Sequence, residues 1–231
     1  MLISYSETKG LALSGSIWAQ LCAARLIPVV VIDDAATAPA LGAALVAGGL
    51  PTAEITFRTA AAAQAIAALA QRDDLIVGAG TVLTPEQVDV AVDSGAQYVV
   101  SPGFSTAVVE RCRERKVLAL PGAVTATEVQ AALTLGLEAV KFFPAKTSGG
   151  PAAIKALAAP FPDLSFVPTG GVSAQNLADY LAVPAVKAVG GSWMVPRNLV
   201  QEQATDQITE LVTEAVQLVR DIDDKAARRR P

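Results

Sequence analysis

The chain has 231 residues, of which 52% are hydrophobic and 17% charged; that is room for one large domain or two small ones, and far too apolar for a disordered chain. With 18 basic against 22 acidic residues the net charge is −4, so no basic surplus exists for wrapping nucleic acid. The sequence contains no histidine, which excludes Ser-His-Asp and Cys-His catalysis, His-ligated zinc and a histidine general base.

From the N-terminus, Ser14–Ala24 reads as an opening helix with a serine cap. Lys9 ahead of GLALSGSIWAQLCAA faintly resembles an export signal, but the basic region is weak and contains Glu7. A unit then recurs eight times: a short run rich in β-branched residues, then Gly, Pro or Asp, then a stretch at helical spacing. The first is Leu26–Asp33 with a helix over Thr37–Ala47, and the second Thr52–Arg58 with Ala60–Gln71. The third is Leu75–Val82 with Pro85–Ser94, where Pro85 follows Thr84 in a favoured helix start. The fourth is Tyr98–Gly103 with Ser105–Arg115, and the fifth Val117–Ala123 with Thr127–Leu135. Ahead of the fifth helix, Thr125 and Glu128 have capping-box spacing. The sixth is Ala139–Ala145 with Pro151–Ala159, the seventh Ser165–Gly171 with Ala174–Ala182, and the eighth Val186–Ser192 with a long helix Leu199–Asp221.

Strands alternating with helices imply parallel pairing through helical crossovers. Eight such units at this length predict an α/β fold, a (β/α)8 TIM barrel with a helix before its first strand. One domain is expected over 1–231, with an ordered core at about 14–221 and a charged, frayed tail at 222–231 that ends in the Arg228–Arg230 cluster. An open doubly wound sheet is the competing architecture, but the first strand runs into Asp33-Asp34 and no G-x-G-x-x-G follows it. Ala35–Ala53 is uncharged, yet Ala and Gly dominate it and Pro39 and Pro51 interrupt it, so no membrane span is expected. Cys22 and Cys112 lie far apart, without metal or disulfide spacing, as in a reduced cytoplasmic protein.

In a barrel the functional residues sit at the C-terminal ends of the strands. Lys141 is the sharpest feature there: it lies between Val140 and Phe142 in an apolar strand, and lysine is almost never buried without a partner or a task. A desolvated amine is pushed toward its neutral form, a nucleophile for carbonyls that yields a Schiff base. Glu54, Thr56 and Arg58 alternate along the second strand and so share a face. Without histidine, Glu54 is the natural general acid or base, or else the salt-bridge partner of Lys141 or Arg58. Arg58 offers a fork suited to a carboxylate, or is a surface arginine past the strand end. Thr81 ends the third strand. Thr169-Gly170-Gly171 and Gly190-Gly191-Ser192 end strands seven and eight, where barrels commonly bind phosphate on backbone N–H groups. Ser148-Gly149-Gly150 is a third such turn. The Asp33-Asp34 pair reads as a turn and helix start, and the two cysteines as inert.

These residues occur in RLIPVVVIDDA, AGGLPTAEITFRT, VGAGTVLTPEQ, YVVSPG, LPGAVTATE, VKFFPA, SGGPAAIKALAAPFP, VPTGGV and VGGSWMVP, from Arg25 to Pro196. That set closely resembles the 2-keto-3-deoxy-6-phosphogluconate (KDPG) and 4-hydroxy-2-oxoglutarate (KHG) aldolase family. The resemblance implies that Lys141 is the Schiff-base lysine and Glu54 the general acid/base. Arg58 and Thr81 would hold the carboxylate of the pyruvyl part, with Phe143 lining the site. Thr169, Gly170, Gly171, Gly191 and Ser192 would hold the substrate phosphate, and Arg25 would assist with an anion. It further implies a small-molecule substrate, no metal or other cofactor, no nucleic-acid or membrane partner, and a cytoplasmic homotrimer. Lys146-Thr147 departs from the acidic residue and alanine common in relatives, Phe57 replaces a more usual leucine, and the C-terminal tail is long. Two other functions use a phosphate-binding barrel: a sugar-phosphate isomerase or epimerase, in which Lys141 acts only electrostatically, and a non-catalytic phosphate-ligand protein.

Overall fold

The structure, a computed structural model, describes residues 12–228, with side chains from residue 17 onward. Lys9 and Glu7, together with Arg229 and Arg230, lie outside the described residues. Chain order alternates throughout: α1 Ala12–Ala24, β1 Leu26–Val30, a 3-10 turn Ala35–Thr37, α2 Ala38–Ala47, β2 Thr52–Thr56, α3 Ala62–Leu69, β3 Ile76–Gly80 and α4 Pro85–Asp93. The second half continues with β4 Tyr98–Val100, α5 Thr106–Glu114, β5 Leu118–Leu120, α6 Ala126–Thr134, β6 Ala139–Phe142, α7 Gly150–Ala158, β7 Ser165–Pro168, α8 Leu177–Leu181, β8 Val189–Gly191, α9 Arg197–Gln201 and α10 Thr205–Arg228.

All paired strands are parallel, as crossover helices require. Six form one curled sheet in the order β5-β4-β3-β2-β1-β8, and β6 pairs with β7 in a second. Single parallel bridges join Gly122 to Lys141, Phe166 to Val186 and Thr169 to Gly190. β1 lies between β2 and β8, which brings the loops after the first and last strands side by side.

Strand alternation divides the apolar residues into two sets. Ala53, Ile55, Val77, Val99, Val140 and Phe166 pack outward among the helices. A smaller inner cluster holds Ile27, Ile76, Tyr98, Val100, Leu120, Ala139 and Val167, together with Leu21 of α1. Ile17 and Trp18 of the same helix pack against it, so α1 covers this cluster with its apolar side chains. Lys141 lies two residues beyond Ala139 and therefore projects to the inner face, as does Glu54 two residues beyond Thr52.

Five expectations need correction. The strands stop earlier than their apolar runs: β1 ends at Val30 rather than Asp33, and β2 at Thr56 rather than Arg58, because the chain turns once pairing partners end. The opening helix starts at Ala12, so Ser14 is an internal residue and not its cap. The expected helix Leu199–Asp221 is two helices: Gln203 adopts φ +51, and the amide of Ala204 donates to Leu199 O at 2.9 Å, closing α9 with a left-handed cap. α10 then continues beyond Asp221 to Arg228. Finally, Arg25 precedes β1, at the N-terminal ends of the strands; its guanidinium donates to Val186 O, Lys187 O and Asp223 of α10, the last at 3.1 Å. It latches the terminal helix there instead of assisting at the C-terminal face.

Candidate active site

Glu54 and Lys141 sit in the middle of their strands, 2% and 5% exposed. Lys141 Nζ donates to Glu54 Oε1 at 3.2 Å. Two charges removed from water repay their desolvation poorly as a fold-stabilising device, so a buried pair of this kind points to a chemical task. The same amine lies 5.3 Å from the centroid of the Phe143 ring, in cation–π range. Glycine makes room for the carboxylate: a Cβ on Gly80 of β3 would stand 2.2 Å from Glu54 Oε1. The adjacent Thr81 takes φ +57, a left-handed conformation that costs a β-branched residue on the order of 1–3 kcal/mol and that clusters at functional sites. Below the pair, Tyr98 is fully buried with its hydroxyl 3.4 Å from Thr52 Oγ1. Burial first, and the Glu54 charge second, hold its phenol far above the ordinary range, so it stays protonated.

Phe143 also lines a cleft of about 390 Å³, a size suited to a small ligand. Arg58 lines it from just past β2, Thr169, Gly170 and Gly171 from the turn after β7, and Gly190, Gly191 and Ser192 from the end of β8. Arg58 is exposed just past its strand, whereas Thr56 is spent on structure: its hydroxyl donates to Val30 O at 2.9 Å. Gly170 and Gly171 have φ +93 and +77, which glycine alone adopts freely. Among the described residues their amide N–H groups donate to no backbone acceptor. Among the same residues Thr169 Oγ1 has no hydrogen-bond partner, though buried, and it is packed so close that a Cβ on Gly190 would stand 2.2 Å from it. Two unused amides and an orphaned hydroxyl on one wall form a cradle for an anion's oxygens. The amide of Lys146 donates to Gly170 O at 3.0 Å, and its stem lies against Gly171.

Of the residues singled out from the sequence, Arg58, Phe143, Thr169, Gly170, Gly171, Gly191 and Ser192 line the cleft, and the Phe143 ring connects that cleft to the Lys141–Glu54 pair, which does not itself line it. Thr81 adjoins it through Gly80. The turn Ser148-Gly149-Gly150 begins α7 and does not line the cleft. Asp34 caps the 3-10 turn, accepting from the amide of Ala36 at 2.9 Å. Cys112 is buried, its thiol pushed up to about 12 by that burial, and Cys22 is raised by the same cause, so both stay protonated thiols. Among the described residues no group of three or more Cys, Asp and Glu side chains could hold a metal ion, and no helix is long and apolar enough to cross a membrane. The sequence reading missed Arg197, which lines the cleft from the start of α9; the run SWMVPR placed it only six residues beyond Gly191.

A parallel α/β fold with an inward-facing lysine–carboxylate pair next to an anion cradle defines a class: enzymes that can attack a carbonyl with a buried amine while holding a charged substrate. The comparisons with known proteins narrow it. The family described as KDPG and KHG aldolase matches residues 17–211. The 2-dehydro-3-deoxy-phosphogluconate aldolase of Treponema pallidum (strain Nichols) is 48% identical over 196 residues, 84% of this chain and 93% of the relative. The KHG/KDPG aldolase of Escherichia coli (strain K12) is 41% identical over 193 residues, 83% of this chain and 91% of the relative. The crystal structure of KDPG aldolase from Legionella pneumophila, with pyruvate captured as a covalent carbinolamine intermediate, superposes with a TM-score of 0.80 at 37% identity, covering 82% of this chain and 93% of that one. The chain belongs to the KDPG and KHG aldolase family.

Proposed function

We propose that this protein is a Schiff-base aldolase that cleaves 2-keto-3-deoxy-6-phosphogluconate to pyruvate and glyceraldehyde 3-phosphate, and also accepts 4-hydroxy-2-oxoglutarate, giving pyruvate and glyoxylate. The observation that carries the reading is the buried Lys141–Glu54 contact of 3.2 Å beside the cleft. Glu54 can take the proton that Lys141 must lose before its nitrogen lone pair attacks the C2 ketone. Glu54 returns that proton to the carbinolamine hydroxyl, which leaves as water and gives the iminium, with Glu54 again a carboxylate. Glu54, acting through a water molecule, removes the C4 hydroxyl proton. As the C4 aldehyde forms, the C3–C4 bond breaks and its electron pair enters the iminium, leaving an enamine. Protonation of the enamine at C3 and hydrolysis release pyruvate and return the free amine.

Arg58 and Thr81 are assigned the carboxylate of the pyruvyl part, and Phe143 covers the reacting carbons. The phosphate falls to Thr169, Gly170, Gly171, Gly191 and Ser192. The two sheets, joined by the bridges after β5 and β7, are taken as the closed (β/α)8 barrel of a single domain. The same reading makes the enzyme a cytoplasmic homotrimer, which sedimentation equilibrium checks as a mass three times the chain's 23.7 kDa; a monomer at assay concentration overturns it.

The test of the chemistry is borohydride reduction in the presence of pyruvate, followed by peptide mass spectrometry. A reduced pyruvyl adduct is expected on Lys141, and none in Lys141→Ala, which also loses turnover. A folded wild-type protein without an adduct would move the site to non-covalent chemistry.

A further inference from the structure

One cation at the cleft has no part in the chemistry above. Arg197 follows the β8 glycine turn closely and lines the cleft together with Gly170, Gly171 and Gly191. Its fork is held in place: Nε donates to Asp33 Oδ2 at 2.8 Å and Nη2 to Asp33 Oδ1 at 2.5 Å. Gln201 Nε2 donates to the same Oδ2 at 2.8 Å. The hydrogen bond from Arg197 is the main cause that holds the Asp33 carboxyl below its ordinary range. Asp33 lies on the loop after β1 and Arg197 is the first residue of α9, where the loop after β8 ends, so the contact ties two neighbouring connections at the cleft mouth.

Rim ion pairs contribute little to stability, which makes folding a weak reason for a two-point clamp with 56% of the arginine side chain exposed. The clamp has a different consequence. A guanidinium carries five N–H groups in one plane, and Asp33 occupies only two, on Nε and Nη2. Among the described residues both N–H groups of Nη1 and one of Nη2 remain, on a fork whose orientation is already fixed. Such a pre-oriented planar donor is suited to phosphate, because little rotamer entropy is left to lose on binding.

We propose that Arg197, positioned by Asp33, is a phosphate-binding residue that completes the cradle of Thr169, Gly170, Gly171 and Ser192 and sets a preference for phosphorylated over unphosphorylated substrates. The substrate preference rests on the aldolase reading; the phosphate contact itself does not.

Two readouts separate them. The first is calorimetric binding of glycerol 3-phosphate to the wild type and to Arg197→Met, Arg197→Lys and Asp33→Asn. The second is the ratio of kcat/KM for 2-keto-3-deoxy-6-phosphogluconate over 4-hydroxy-2-oxoglutarate. Loss of hydrogen bonds to a charged group should weaken glycerol 3-phosphate binding by roughly 10- to 100-fold in Arg197→Met. The specificity ratio should fall by a similar factor through KM. Arg197→Lys should recover part of both, having the charge without the fork, and Asp33→Asn should lie between wild type and Arg197→Met. Should Arg197→Met fail to fold, Arg197→Lys and Asp33→Asn decide the matter alone. Affinity and ratio within twofold of wild type in all folded variants overturn the assignment. A wild type that turns over neither substrate, with affinity still lost in Arg197→Met, sinks the aldolase reading and leaves the phosphate residue standing.

Discussion

Removing the charge of Glu54 changes two things at once. It strands the Lys141 amine in the interior without its partner, a change that costs on the order of 3–5 kcal/mol when such a pair is broken. It also removes the carboxylate that, among the described residues, is the one charged hydrogen-bond acceptor of that amine. Gly80→Ala separates these effects. Its Cβ would stand 2.2 Å from Glu54 Oε1, so the carboxylate must move although its charge remains. A displacement of about 1 Å in a catalytic group can cost about 100-fold in rate, and loss of a general base typically costs about 100- to 10,000-fold. Gly80→Ala should therefore lower kcat about 100-fold and Glu54→Gln at least as much, while pyruvate is still trapped on Lys141 in both, more slowly in Glu54→Gln, which lacks the acceptor for the Lys141 proton. Quantitative adduct yield against steady-state kcat is the check; wild-type kcat in Gly80→Ala would mean that the carboxylate position does not matter. Lys141 and Glu54 were legible in the sequence because a charge inside an apolar strand conflicts with burial unless a partner or a task explains it. Arg197 was not: after Val195-Pro196 an arginine reads as an ordinary exposed helix start, and only the loop geometry brings it to the cleft.

The eight strand–helix units could be read from alternating β-branched runs and helical spacing, and the local start signals carried over directly. Thr84 caps α4, and Thr125 with Glu128 forms the expected capping box on α6. Burial pushes the Glu128 carboxyl up, but the amides of Val124 and Thr125 and the Thr125 hydroxyl outweigh it, so the net shift is downward. The cap's contribution is thus present above the ordinary glutamate range and is lost as pH falls through the lowered folded value. The break between α9 and α10 was illegible for an equally specific reason: helix ends that need positive φ usually carry Gly or Asn, and here Gln203 does the work at φ +51. Its side chain pays a left-handed strain that glycine would not. Gln203→Gly should accordingly stabilise the protein by about 0.5–1 kcal/mol, read as a raised urea midpoint with an unchanged slope. A lowered midpoint would show that the Gln203 side chain contributes more by contact than its backbone loses by strain.

Charge at the scale of the whole molecule runs against charge at the cleft. The chain carries −4 overall, yet Arg58 and Arg197 line the cleft and Lys146 lies against its wall at Gly171. Among the described residues neither Arg58 nor Lys146 is in a salt bridge. A substrate with a carboxylate at one end and a phosphate at the other is repelled by the molecule as a whole and attracted at its mouth, and a cleft with walls of low dielectric concentrates that attraction. Lys146 is exposed and makes no side-chain hydrogen bond to the site, so its effect should act through the field alone. Lys146→Glu reverses one unit charge within reach of the phosphate turn. It should lower kcat/KM for the phosphorylated substrate roughly three- to tenfold at low ionic strength. The difference should shrink toward nothing near 0.5 M salt, where screening acts over about 4 Å. Stopped-time assays across a salt series, wild type beside variant, give the comparison directly. A loss that persists at high salt would instead assign Lys146 a direct contact with substrate, making it part of the binding site itself and not of the potential around it.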